Sequence, residues 1–123
     1  MRGLPRLTAL VGGVLLVISG IWAMVDPRAF YDSAAQFPPY NGHFLRDIGA
    51  FLIGLGSALL LSLRHAKALT VALAANAIGA ALHAVSHVVD RDAGGKSSDP
   101  VIFVVIALVL ALAASQAMKG RQS

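Results

Sequence analysis

Three side chains able to do chemistry sit on one apolar stretch: His83, His87 and Asp90 of ALHAVSHVVD, at i, i+4 and i+7. On a helix these spacings stack side chains along one face. Asn76 joins the line, because successive offsets of seven, four and three residues stay within about 40° of a common direction. Imidazole can donate or accept a hydrogen bond near neutral pH, and two imidazoles one turn apart can share a metal ion. The stripe has three readings: a polar fastening between helices, a proton-responsive or quinone-type ligand pocket, and a metal site of His83, His87 and Asp90. Ala84 stands where the HExxH pattern carries its Glu, so the zinc-protease signature is missing. There is also no Gly-rich phosphate loop and no nucleophile elbow.

A second polar group lies in HFLRDIGAF, which carries His43, Arg46 and Asp47. Asp47 could orient a histidine through its ring N–H, and Arg46 could pair with Asp90 or with a ligand's anionic group. The candidate ligand-binding set is therefore Arg46, Asp47, His83, His87 and Asp90.

The elements that must position these groups are membrane helices. Of the 123 residues, 57% are hydrophobic and 13% charged, roughly half the charge of a soluble domain. The apolar residues fall into four blocks, 7–25, 44–63, 68–89 and 101–118, each near the about 20 residues that cross a bilayer as a helix. The expected fold is all-α: one integral membrane domain, a four-helix bundle whose first extracytoplasmic loop lies at the interface. The tight RHAK turn predicts that the second and third spans are antiparallel neighbours. The site residues then meet at the far end from that turn, with His83 about 9 Å inside the helix end. Gly12, Gly13, Ser19 and Gly20 in the first span, and Gly49, Gly54, Gly56 and Ser57 in the second, predict close helix packing. The fourth span has no polar residue before Ser115 and is expected to face lipid or a partner helix.

The net charge of +4 does not point to nucleic acid, because the charges follow membrane topology. Arg2, Arg6, Arg64, Lys67, Lys119 and Arg121 flank one side without an acid among them, whereas all six acidic residues fall with Arg28, Arg46, Arg91 and Lys96 on the other. The excess of Lys and Arg places both termini in the cytoplasm of a multi-pass cell-membrane protein. The opening MRGLPRLTALVGGVLLVISGIWA also has the outline of a signal peptide. Its long apolar stretch and Ile21 at the −3 position fit a retained span better. The absence of cysteine removes disulfides, thiolate nucleophiles and Cys-based metal sites. The loop DPRAFYDSAAQFPPYNGH, with Phe30, Tyr31, Phe37 and Tyr40, is either an interfacial anchor or a lid. Asp99 and Pro100 mark the start of the last helix, with Asp99 as its cap.

The segments DPRAFYDS, PPYNGHFLRDIGAFLIGLG and NAIGAALHAVSHVVD together resemble the small four-helix DoxX-like proteins of bacterial inner membranes. The most telling pieces are the N-x-H-x-x-R-D-x-G-A run from Asn41 to Ala50 and the histidines of the third span. The resemblance implies a four-helix bundle; some relatives in the wider group are associated with thiol or quinone redox systems, and the missing cysteines argue against direct thiol exchange here. The reading that follows is a non-enzymatic membrane component, either an accessory subunit or a binding module for a lipid-like small molecule. The alternative is a quinone-linked or metal-dependent redox component. Expected partners are the bilayer, a membrane protein or a second copy, and a lipid-like or quinone ligand.

Overall fold

The computed structural model describes residues 3–120; Arg2 and Arg121, both used above to orient the chain, lie outside them. The described residues form five helices: α1 Gly3–Val25, α2 Pro27–Ala34, α3 Gly42–Ser62, α4 Ala66–Val89 and α5 Asp99–Lys119. All but α2 are long and apolar enough to cross a membrane. The chain is thus a multi-pass membrane protein built as an all-helical bundle. Large apolar side chains on every long helix, among them Leu15, Phe51, Val71 and Leu108, face outward, as contact with lipid requires.

Local chemistry sets the helix boundaries. Asp26 separates α1 from α2: its carboxylate accepts from the Ala29 amide at 3.0 Å, and Pro27 fills the first turn, where no amide partner is needed. Asn41 caps α3 in the same way, accepting from the Phe44 amide at 3.1 Å. At the start of α5 the cap position belongs to Ser98, not Asp99. Asp99 occupies the first turn instead, where a carboxylate complements the positive end of the helix dipole.

The long helices associate as two antiparallel pairs, α1 with α3 and α4 with α5. Glycine sets the first pair. A Cβ on Gly20 would lie 2.5 Å from the carbonyl oxygen of Gly49, and one on Gly56 would lie 2.6 Å from that of Gly13. Gly13 and Gly20 are seven residues apart, as are Gly49 and Gly56, so each helix presents its two glycines on one face and the backbones touch twice. Gly54 has open space around it, and only part of the small-residue set therefore serves this contact. Arg6 closes the pair by donating to the Leu63 carbonyl at 2.9 Å, satisfying an orphan group at the end of α3.

One core joins all four long helices, made of Ala9 from α1, Leu59 from α3, Leu69, Leu73 and Ala77 from α4, and Leu110, Ala113 and Ala114 from α5. These positions lie toward the end that carries the α3–α4 turn. At the other end the core changes character, since Ala23, Phe30 and Leu45 join only α1, α2 and α3. There the two pairs are bridged by loops.

Candidate functional site

The loop bridge is centred on His87. The segment after α2 crosses to the α4–α5 loop, where the Gly95 amide donates to the Gln36 carbonyl at 2.9 Å and the Lys96 ammonium donates to the Ser33 carbonyl at 2.8 Å. Gly95 has φ of +76°, and a Cβ there would lie 2.8 Å from the Phe37 ring. Both facts require glycine at this position. Phe37 thereby reaches the His87 ring and packs against it edge-on, with centroids 5.3 Å apart.

Beneath Phe37, His87 is buried and meets groups from two helices. Its Nε2 lies 3.0 Å from Nε2 of His83, one turn earlier on α4. Its Nδ1 lies 3.7 Å from a carboxylate oxygen of Asp99 on α5, and that side chain is 15% exposed. The same Asp99 oxygen accepts from the Lys96 amide at 2.8 Å, so the loop fixes the carboxylate. Phe103 stacks on both imidazoles, with centroids 3.9 Å from His83 and 4.9 Å from His87. The result is a carboxylate, two imidazoles and two phenyl rings built from α4, α5 and both loops at this end.

The other expected members are elsewhere. The structure brings His83 and His87 together, but no hydrogen bond or ion pair among the described residues joins them to Arg46, Asp47 or Asp90. Asp47 instead pairs with His43 on its own helix at 3.5 Å, both exposed. Arg46 is exposed at the start of α3. Asp90 leaves the stripe because α4 ends at Val89, which makes Asp90 the C-cap residue with its side chain outward. Asn76 is buried and donates to the Ala72 carbonyl of its own helix at 2.9 Å. Asp99, Phe103 and Phe37 take the places expected of Asp47, Arg46 and Asp90. One sequence signal for the first two was available: Asp99 and Phe103 are four residues apart and share a face of α5.

The line Leu69, Leu73, Asn76, Ala80, His83, His87 runs along α4 at alternating steps of four and three, and its other members are buried or half-buried while His83 is exposed. Packing therefore opens at His83. Among the described residues, no three His, Cys, Asp or Glu side chains gather as a ready metal-ligand group. The expected set of His83, His87 and Asp90 is not assembled.

Two depressions flank this end of α4 and α5. One, of about 410 Å³, is a polar mouth lined by His87, Val88, Arg91, Asp92, Lys96 and Pro100 among others. The second, of about 360 Å³, is an apolar groove between α4 and α5, lined by Ala81, Ala84, Val85, Val88, Val104 and Leu108 among others. Val88 lines both, so the groove and the mouth adjoin at this residue. On α2, Arg28 lies over the Tyr31 and Tyr40 rings, 5.7 and 5.1 Å from their centroids, and bonds Asp32 at 2.9 Å. The Asp32 carboxylate holds the exposed Arg28 guanidinium above its ordinary range.

No family model matches the chain, and no curated protein or solved structure matches it.

Proposed function

We propose that the protein is a non-enzymatic membrane component that binds an amphiphile with an anionic head, the head in the polar mouth and the chain in the groove between α4 and α5. The observation that carries this reading is that the two depressions adjoin at Val88. Arg91 and Lys96 supply cations at the mouth with Asp92 as the opposing charge, while the groove offers only alanine, valine and leucine to a hydrocarbon chain. In this reading the chain is DoxX-like, both termini are cytoplasmic, and the mouth opens at the outer leaflet. A quinone-linked or metal-dependent redox role is the alternative for the same end of the bundle.

Native mass spectrometry of the protein released from nanodiscs of mixed phosphatidylglycerol and phosphatidylcholine tests the reading. The expected result is preferential retention of phosphatidylglycerol, lost in Arg91→Gln and reduced in Ala107→Phe, which fills the groove. Equal retention of the two lipids by the unaltered protein would overturn it. Single cysteines placed at Ser97 and at Arg64 report orientation in intact cells. An impermeant reagent should label the first and spare the second.

A further inference from the structure

We infer that His83 and His87 form a two-nitrogen site for a divalent ion of the zinc or copper class, with Asp99 as the carboxylate that orients His87. The site does not depend on the amphiphile reading. Two imidazole nitrogens on one tetrahedral ion, each about 2.0–2.1 Å from it, stand roughly 3.3 Å apart. The Nε2 atoms of His83 and His87 are already 3.0 Å apart and directed at each other. Rotation of either ring by a few tenths of an ångström at the nitrogen admits the ion.

The surroundings hold the His87 ring with one nitrogen toward Asp99 and the other toward His83. A ligating imidazole must be neutral with its lone pair free, and a carboxylate behind the far nitrogen holds the proton there. Asp99 stands 3.7 Å from His87 Nδ1, a small shift away from that orienting bond, while Nε2 faces His83. Phe103 lies nearly parallel to both rings, at 22° and 26°, and limits their rotation away from one another. The polar mouth that His87 lines provides the path of entry. Because no third His, Cys, Asp or Glu joins the pair among the described residues, water or small molecules would complete the coordination. An ion so held is open to exchange and to an added ligand.

The test uses the full chain in nanodiscs, in a His43→Gln/His65→Gln background that leaves His83 and His87 as its two imidazoles. Addition of Cu²⁺ alone, followed by electron paramagnetic resonance, should give one bound ion per chain with coupling to two nitrogens, displaced only by a large excess of Zn²⁺. His83→Gln and His87→Gln should each leave coupling to one nitrogen at most and weaken binding by at least about tenfold. Asp99→Asn should keep both couplings and weaken binding about 10–100-fold, the range for loss of an orienting partner. His83 is exposed, so its variant retains the fold and decides the matter even where His87→Gln does not fold. A bound ion without nitrogen coupling, or unchanged affinity in His83→Gln, would overturn the site, and unchanged affinity in Asp99→Asn would remove the carboxylate from it.

Discussion

The α1–α3 pair and the α4–α5 pair are both antiparallel helix pairs of similar length, yet they are held by different chemistry. In the first pair Gly13, Gly20, Gly49 and Gly56 let two backbones touch, and dispersion over a close contact does the work that water would otherwise drive. In the second, the end nearest the loops is occupied by His83, His87, Asp99 and Phe103, three polar groups and a ring too bulky for such a seam. The first interface is defined by what is missing from its side chains, and so it has little tolerance for added volume. The second holds removable groups with several partners each. That difference leaves α4–α5 as the half whose side chains can change partners, which the proposed ligand binding requires.

The sharpest way to break the comparison is to add one carbon. Gly20→Ala places a Cβ against the Gly49 backbone oxygen, which cannot rotate away, so the helices must part. The expected loss is about 2–3 kcal/mol, as for other overpacked interiors. Gly54→Ala, into open space, should stay within about 1 kcal/mol of the unaltered protein, because only helix propensity changes. Unfolding of both variants by titration with a denaturing detergent checks this, and equal stability of the two would dismiss the glycine seam.

A smaller effect is expected where the loops cross. Phe37→Ala removes the ring that covers His87 and lies beside Gly95, a loss of about 0.5–1.5 kcal/mol from the aromatic contact alone. Hydrogen exchange at the Gly95 amide, bonded to Gln36, should then quicken by up to about tenfold while the amides of α1 hold their rates. Uniform exchange across the chain would mean that the loop bridge does not act as a separate unit.

The smallest effect belongs to His83. His83→Leu suits an exposed position in a membrane and keeps the packing against Phe103, but it deprives His87 Nε2 of its partner. The net change in stability should be about 1 kcal/mol, the low end of the cost of leaving one buried polar group unpaired, because the new leucine recovers apolar contact. A thermal-shift comparison with Gly20→Ala provides the scale. A loss as large as that of Gly20→Ala would make His83 a structural strut and place the two pairs on equal terms.

Much of the architecture could be read from the residues because its causes are local. An apolar block long enough to cross a bilayer must close its own backbone hydrogen bonds as a helix, so the four long helices follow from composition and spacing. The Asp26 cap and Pro27 that start α2 are equally local, yet DPRAFYDS lies in a segment whose polarity and prolines point to a loop, and the structure makes it a helix. The i, i+4 spacing of His83 and His87 likewise places the two rings on one face within reach of each other.

What tertiary structure decided was the partner of that pair. The short turn before α4 makes α3 its neighbour in sequence, and Asp47 was the natural candidate at the far end. The glycine seam instead commits α3 to α1, the core common to all four long helices lies toward the turn, and α5 runs the length of α4. Asp99 thus stands beside His87, and Asp47 stays with His43. A residue's face on its own helix is a property of spacing. Which helix meets that face depends on the relative cost of every helix contact at once, and no single segment carries that information.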